Sequence, residues 1–186
     1  MDNMGAGSAL LNATKILKDA GLTGGSKIAD FGAGRAGHMV FPAARLVGEK
    51  GMVYAVDVVK DVIRMIDTKR QMFSILNLQT VWGDFEMKGG VKIPPQSLDY
   101  VLIVNNLWCV KNMDAVISES KRLLKKDGKV VLVDWRRRIE HPVAPPVQNR
   151  LDAMQAEAVF LKNGFKKERD LPVGETHWGM ILSSAQ

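Results

Sequence analysis

Short apolar segments alternate along this chain with longer stretches whose apolar residues recur at helical spacing. Because a helical pattern follows each short segment, the alternation indicates buried parallel strands joined by crossover helices. It therefore predicts a doubly wound α/β sheet. The strand-like segments are Lys27–Phe31, Met52–Asp57, Thr80–Trp82, Tyr100–Asn105 and Lys129–Asp134.

The end of the chain departs from this alternation. Two further strand-like segments, Phe165–Asp170 and His177–Leu182, are separated by only six residues. A connection of that length is too short for a parallel crossover, so the two strands must pair as an antiparallel hairpin. We therefore expect a mostly parallel, seven-stranded sheet that closes with an antiparallel C-terminal hairpin.

Composition narrows the setting and the partners. The chain has one cysteine, Cys109, so no internal disulfide can form and we expect a cytoplasmic protein. No apolar run approaches the ~20 residues that cross a bilayer, so we expect no membrane insertion. The formal net charge of +6 favours anionic partners such as RNA or acidic metabolites, but an ordinary solvated surface explains it equally well.

A glycine-rich turn follows the first predicted strand. Glycines there let the chain turn tightly and bring backbone N–H groups and a helix N-terminus close to an anionic ligand. The spacing Gly32-x-Gly34-x-x-Gly37 matches the dinucleotide fingerprint, and Asp57 lies where that fingerprint places a ribose-binding acid. A nicotinamide dinucleotide is therefore one candidate ligand.

Three features argue against a nicotinamide ligand. Asp30 would place a carboxylate in the turn that a pyrophosphate must occupy, whereas it suits the ammonium group of an amino acid. No lysine stands four residues after Tyr54 or Tyr100, so the tyrosine and lysine pair of short-chain dehydrogenases is absent. The terminal antiparallel hairpin is also foreign to the usual dinucleotide fold. These features favour a ligand with an amino-acid part.

Four signals occur in order after successive strands: Asp30-x-Gly32-x-Gly34, Val53-Tyr54-Ala55-Val56-Asp57, the pair Gly83-Asp84, and the closing hairpin. Together they resemble the class I S-adenosylmethionine-dependent methyltransferase superfamily over nearly the whole chain. The resemblance implies a Rossmann-like fold and S-adenosyl-L-methionine as the cofactor. Three shorter motifs resemble small proteins related to ubiquinone and menaquinone C-methyltransferases: Phe41–Gly48, Val133-Asp134-Trp135 and His177-Trp178-Gly179.

The resemblance assigns the turn to the methionine part of the cofactor. Gly32 and Gly34 would pack against that part, and Asp30 would bind its ammonium group directly or through water. One departure is Gly37, because many members of the superfamily have the third glycine one position earlier. It implies a turn that is one residue longer.

The same resemblance assigns three residues to the nucleoside. Asp57 would accept a bidentate pair of hydrogen bonds from the ribose hydroxyls. Asp84, with the backbone of Phe85, would hold the adenine edge. Taken singly, each acid could equally be a turn or cap residue, and it is their order along the chain that favours the cofactor assignment.

We expect residues 1–186 to form one methyltransferase domain. Within it, residues 1–22 form a lead-in helix, residues 23–134 the cofactor-binding half, and residues 135–186 a linker, a helix and the closing hairpin. The linker, Ile139 to Pro146, contains three prolines and is expected to cross the mouth of the site.

The acceptor side should lie where the fourth and fifth strands end, because ligands of open α/β sheets bind at the carboxyl edge. Asn105 and His177 are the candidate catalytic residues there. His177 could act as a base or orient a hydroxyl, and a purely structural role is also open. Three tryptophans could stack on a flat substrate or belong to the core: Trp108, Trp135 and Trp178.

The favoured function is methylation of a small acceptor, aromatic or quinone-like. RNA methylation is the rival, supported by the basic charge, by Arg136–Arg138 and by a likeness of Gly48–Asp57 to fibrillarin, whose catalytic set is not reproduced here. A cofactor-binding module without catalysis is a third class. Since this scaffold hosts many acceptors, the sequence leaves the acceptor and the oligomeric state open.

Overall fold

The computed structural model describes residues 10–184. Residues 1–9, part of the predicted lead-in segment, lie outside the described residues. No helix of the described part is long and apolar enough to span a bilayer. The elements are α1 (Ala13–Asp19), β1 (Lys27–Phe31), α2 (Val40–Val47), β2 (Met52–Asp57), α3 (Lys60–Met72), β3 (Leu78–Trp82), β4 (Leu98–Val104), α4 (Met113–Leu123), β5 (Leu124–Trp135), α5 (Ala153–Lys162), β6 (Phe165–Asp170) and β7 (His177–Ser184).

Within residues 10–184, seven strands form one sheet in the order β3-β2-β1-β4-β5-β7-β6. Strands β1 to β5 pair in parallel, and β7 runs antiparallel between β5 and β6. The predicted mostly parallel sheet with an antiparallel C-terminal hairpin is confirmed. The strand order reverses at β1, which pairs with β2 on one side and β4 on the other. Such a reversal opens a crevice at the carboxyl ends of the strands.

Helices cover both faces of the sheet. Helices α1, α2 and α3 pack on one face, and α4 and α5 on the other. Because successive side chains of a strand point to opposite faces, Asp30, Asp57, Trp135 and His177 belong to the α1–α3 face. Trp178 packs in the core on the α4–α5 face.

Several strand ends differ from the predicted bounds. Strand β4 ends at Val104 because Asn105 takes a left-handed conformation, with φ +58°, which ends extended pairing. Strand β5 begins at Leu124 rather than Lys129, and its first residues include the exposed stretch 125–127. These exposed polar residues break the apolar pattern, so the pattern does not reveal the start of β5. Strands β3 and β7 are also longer than their predicted segments.

Candidate active site

The glycine-rich turn joins β1 to α2 and is tied to the neighbouring strand β2. The N–H groups of Gly32 and Ala33 donate to the Val56 carbonyl at 2.9 and 3.1 Å. Gly34 has φ +65°, and a Cβ built on it meets no heavy atom of the described structure within 4 Å. The turn is therefore open at Gly34, where we predicted that the cofactor packs.

Gly32 stands in a different environment. A Cβ at this position would lie 2.5 Å from both Nδ2 and Oδ1 of Asn106, in the segment that follows β4. The absence of a side chain at Gly32 is thus required by a residue of the protein itself. The sequence places Asn106 at the end of the fourth strand, among the candidates for the acceptor pocket. It does not predict the contact with the glycine turn, because that contact joins two strands that are distant in sequence.

Asp30 lies near the end of β1, beneath this turn, and is 2% exposed. Among the described residues its Oδ1 atom has no hydrogen-bond partner. Burial, and then the charge of Asp57, raise the pKa of Asp30 from 3.8 to about 7. A buried carboxylate with an unused oxygen fits a cationic ligand group, because an opposite charge at this position would restore the ionised form.

Asp57 ends β2, and both of its carboxylate oxygens bind backbone. Gly34 N donates to Oδ2 at 3.2 Å, and Val59 N donates to Oδ1 at 2.9 Å. Asp57 therefore holds the glycine turn and the entry to α3 together. A carboxylate has about four acceptor positions, so these two bonds leave room for ribose hydroxyls.

The predicted adenine residues follow β3. Asp84 Oδ1 accepts from Glu86 N at 2.8 Å, which forms a local turn. The buried Phe85 ring stacks on Phe31 with centroids 5.0 Å apart and planes 9° apart. The ring is thus part of the core, which leaves only the backbone of Phe85 for the predicted adenine contact.

A residue outside the predicted site fixes this segment. Glu119 on α4 is fully buried and accepts from Gly89 N at 2.7 Å and from Val91 N at 3.0 Å. Arg122, one turn further along α4, pairs with Glu119 at 2.6 Å and donates to the Val91 carbonyl at 2.8 Å. The loop after Asp84 is therefore fastened to α4. An acidic residue on an otherwise amphipathic helix gives no sequence signal for this role.

On the acceptor side, Trp135 and His177 pair across β5 and β7, and their rings are in contact with centroids 4.2 Å apart and planes tilted by 38°. His141 makes the other ring contact of Trp135, at 5.8 Å. His177 is fully buried, its Nδ1 lies 2.8 Å from Thr176 Oγ1, and its Nε2 has no partner among the described residues. Burial, and then the charges of His141 and Arg136, lower the pKa of His177 from 6.5 to about 4.

Asn105 lies two strands away from His177, across β4, β5 and β7. Strands are spaced about 4.8 Å apart, so the two candidate catalytic residues share an edge without forming a hydrogen-bonded pair. The N–H of Asn105 donates to the Val133 carbonyl at 2.8 Å, and its own carbonyl accepts from Trp108 Nε1 at 3.0 Å. These contacts fix the exit from β4.

The three tryptophans do not converge on one pocket. Trp135 is 1% exposed on the α1–α3 face, whereas Trp178 is 4% exposed on the opposite face, where its Nε1 donates to the Leu151 carbonyl at 3.2 Å. Trp108 is half-buried in the short 3-10 helix after β4. Trp135 and Trp178 therefore cannot both stack on one acceptor.

The linker between β5 and α5 is organised by Arg150, which is 7% exposed. Its guanidinium donates to the carbonyls of Pro145 at 2.7 Å, Arg136 at 3.1 Å and Ile139 at 2.5 Å, and it lies 5.9 Å from the Trp135 ring. Residues 136–138 remain exposed. The predicted proline linker is thus a loop that Arg150 holds in place, next to the Trp135 ring.

A large cavity lies along α2 and next to the C-terminal end of α3. Its volume is about 1020 Å³, and Phe41, Arg45, Met52 and Phe73 are among its lining residues. None of the predicted site residues lines it, so we assign the functional site to the carboxyl edge on the basis of its chemistry.

A methyltransferase-domain family model matches residues 22–182. The chain belongs to this methyltransferase family. The match begins before β1 and ends within β7, so it includes the first six strands and most of the seventh. With the fold, it implies S-adenosylmethionine as the cofactor, and the unused oxygen of Asp30 beside an open glycine turn fits the ammonium group of that cofactor.

Two curated methyltransferases are similar to part of this family member. The ubiquinone/menaquinone biosynthesis C-methyltransferase UbiE of Shewanella pealeana is 28% identical over 120 residues, which cover 64% of this chain and 46% of that protein. A probable cobalt-precorrin-6B C(15)-methyltransferase of Sulfurisphaera tokodaii is 27% identical over 119 residues, covering 62% and 57%. The chain thus spans about half the length of the curated relatives that it matches.

A solved structure supports the fold. The S-adenosylmethionine-dependent methyltransferase from Aquifex aeolicus superposes with a TM-score of 0.85, covering 94% of this chain and 90% of that one at 22% identity. At this identity the likeness establishes the fold. It carries no statement about the acceptor.

Proposed function

We propose that this methyltransferase-family chain transfers a methyl group from S-adenosylmethionine to a small acceptor of aromatic or quinone-like type. One observation carries the proposal. The cofactor acids Asp30 and Asp57 and the buried pair Trp135 and His177 all lie at the carboxyl edge and on the same face of the sheet. A cofactor and an acceptor can therefore meet on that side of the crevice.

The cofactor, when bound, supplies a methyl group that its sulfonium already activates. The chain then has to bind and orient both molecules and to exclude water. Asp30 would hold the ammonium group, Asp57 the ribose hydroxyls, and Asp84 with the Phe85 backbone the adenine edge. These roles require no dedicated acid or base.

His177 suits an orienting role better than a proton-transfer role. With a pKa of about 4 its imidazole is neutral at pH 7 and only weakly basic, whereas an efficient general base has a pKa near the working pH. Its buried Nε2 can make one hydrogen bond to an acceptor hydroxyl or carbonyl. Asn105, at the exit from β4, would border the same acceptor.

The curated relatives favour a carbon atom of a small molecule as the methyl acceptor, because both relatives are named as C-methyltransferases. The three exposed arginines, Arg136–Arg138, favour RNA as a second candidate. Their loop is fixed by Arg150, and fixed cations are able to position phosphates. The two candidates differ in which residues should matter, since only RNA needs these arginines.

The test uses methyl-tritiated S-adenosylmethionine with cell extract separated into RNA, protein, lipid and small-molecule fractions. We expect label in the lipid or small-molecule fraction with wild-type protein and none with Asp57→Ala. Asp61→Ala, an exposed acid on α3, is the matched control and should label as wild type does. Label in RNA would favour the rival. Binding of the cofactor without any labelled fraction would favour a non-catalytic module.

A further inference from the structure

Asn106 connects the exit of β4 to the end of β1. Its Nδ2 atom lies 2.8 Å from the Phe31 carbonyl, 3.1 Å from the Gly32 carbonyl and 2.9 Å from the Val104 carbonyl. A carboxamide nitrogen has two hydrogens, so it is shared among three backbone acceptors. Since these acceptors belong to the ends of two neighbouring strands, one side chain bridges β1 and β4.

The contact is also tight. The Cβ that Gly32 lacks would lie 2.5 Å from the Asn106 carboxamide, below any normal contact distance. The Asn106 carboxamide therefore occupies the space that a side chain at position 32 would need. The conformation of the turn depends on both residues. Gly32 has φ +77°, which favours glycine independently of the clash.

The segment that bears Asn106 is held from its other side by Asp134 at the end of β5. Leu107 N donates to Asp134 Oδ2 at 2.9 Å, and Asp134 is 1% exposed. The ends of β1, β4 and β5 are thus linked in succession through Asn106 and Asp134. The acceptor-side strand and the glycine turn share this connection beneath the crevice.

We propose that Asn106 is a positioning residue for the cofactor. It holds the end of β1, and with it Asp30 and the turn at Gly34, in the geometry that binds the methionine part of S-adenosylmethionine. The inference rests on the proposed use of that cofactor. It adds a residue to the site whose role is carried through backbone carbonyls rather than through contact with the ligand.

The first test is Asn106→Asp, which keeps the shape of the side chain but replaces the donor by a carboxylate facing three carbonyl oxygens. We expect the Kd for S-adenosylhomocysteine, measured by calorimetry, to rise about tenfold or more, because several hydrogen bonds are removed and buried acceptors are left unpaired. Asn106→Ala, which adds no charge, gives the same comparison should Asn106→Asp fail to fold.

The matched control is Asn112→Asp, the same chemical change at the N-cap of α4. Asn112 accepts from Ala115 N at 3.1 Å, and aspartate caps helices as well as asparagine does. We expect its Kd to equal that of wild type. Urea unfolding of all variants separates loss of stability from loss of affinity, because calorimetry on folded protein reports affinity alone.

A double-mutant cycle tests the mechanism. Gly32→Ala alone should weaken binding strongly, because the new methyl group meets Asn106. In the Asn106→Ala background that clash is gone, so the added loss should be at least about fivefold smaller, as expected for directly coupled residues. Equal losses in both backgrounds would contradict the proposed coupling.

The outcomes separate two failures. Wild-type protein that binds no S-adenosylhomocysteine or S-adenosylmethionine would overturn both the proposed function and this inference. Wild-type binding with an unchanged Kd in Asn106→Asp and Asn106→Ala would overturn the inference alone. A loss of stability with unchanged affinity would likewise reduce Asn106 to a structural residue.

Discussion

At the β1–β2 side of the carboxyl edge the carboxylates of Asp30 and Asp57 keep acceptor positions open, whereas at the β5–β7 side the guanidinium of Arg150 is engaged with its own loop. Asp30 has an unused oxygen, and Asp57 uses two acceptor positions on backbone. Arg150, by contrast, donates to linker carbonyls and lies over Trp135. The first side therefore has the polar groups that a charged ligand needs, and the second side is dominated by contacts within the protein. Substitutions that change charge on the first side should therefore affect cofactor binding. Substitutions that change packing on the second side should affect acceptor binding.

The change that should separate the two sides most strongly is Asp57→Ala. It would remove the two proposed hydrogen bonds from the ribose hydroxyls to this carboxylate, each worth about 1.5 to 3 kcal/mol. The Kd for S-adenosylmethionine should therefore rise about hundredfold or more. Since Asp57 also binds Gly34 N and Val59 N, the turn should loosen too. Calorimetry measures the affinity, and Asp61→Ala is the control. An unchanged Kd would make Asp57 only a cap.

The second change breaks the acceptor side and leaves the cofactor side intact. Arg150→Met should lower the free energy of unfolding by about 2 to 3 kcal/mol, because the bonds of a buried cation to several carbonyls are removed. The linker between β5 and α5 should then be cleaved faster by a protease, while the Kd for the cofactor stays within about twofold.

Arg137→Met, exposed on the same linker, is the matched control for Arg150→Met and should change neither quantity. Urea unfolding and limited proteolysis measure the effect. A large loss of cofactor affinity in Arg150→Met would show that the two sides of the edge are not separable.

The cofactor side was largely predictable from sequence because its signals are local. The turn from Asp30 to Gly37 and the acids at the ends of β2 and β3 follow strands that an apolar pattern reveals, and the confirmed sheet topology brings these strand ends to one edge. Their roles toward a ligand remain predictions. Asn106 was expected on the acceptor side, and its contact with Gly32 was not predicted, because spacing along the chain does not reveal a contact between two strands that are distant in sequence.

The acceptor side was less predictable, because the role of each residue there depends on its burial and on the face of the sheet to which it points. Three tryptophans looked equivalent in sequence, yet the alternation of side chains along β5 and β7 puts Trp135 and Trp178 on opposite faces. Arg150 carries no motif, since its hydrogen bonds go to backbone carbonyls, which every residue type has. The sequence showed a proline-rich linker and could not show what fastens it.

The third prediction concerns the pH dependence of cofactor binding. The pKa of Asp30 is raised from 3.8 to about 7, so the folded protein without ligand holds this proton more tightly than the unfolded chain does. That contribution to stability is complete below about pH 4 and disappears as the pH rises through 7. An ammonium ligand needs the ionised form, so affinity should rise about fivefold from pH 6 to pH 7.

Asp30→Asn should flatten this profile, and calorimetry at each pH measures it. The buried Asp134, whose pKa burial raises to about 6, titrates in the same range on the other face of the sheet. Subtracting the pH profile of Asp30→Asn from that of the wild type removes the contribution of Asp134. A pH dependence that persists in Asp30→Asn would assign the proton to another group.

The smallest effect is expected from changing Arg136, Arg137 and Arg138 together to alanine. For a small apolar acceptor the side chains are solvated, so cofactor affinity and turnover should change by less than about twofold. For RNA they would neutralise phosphates, and the log-log slope of binding against salt should fall by about 0.7 to 0.9 for each phosphate that is no longer neutralised. RNA binding measured by fluorescence anisotropy across salt concentrations distinguishes the two. The main-chain carbonyls that Arg150 binds are kept in this variant, so the loop itself should persist. A steep salt dependence that disappears when the three arginines are changed would identify RNA, rather than a small molecule, as the acceptor.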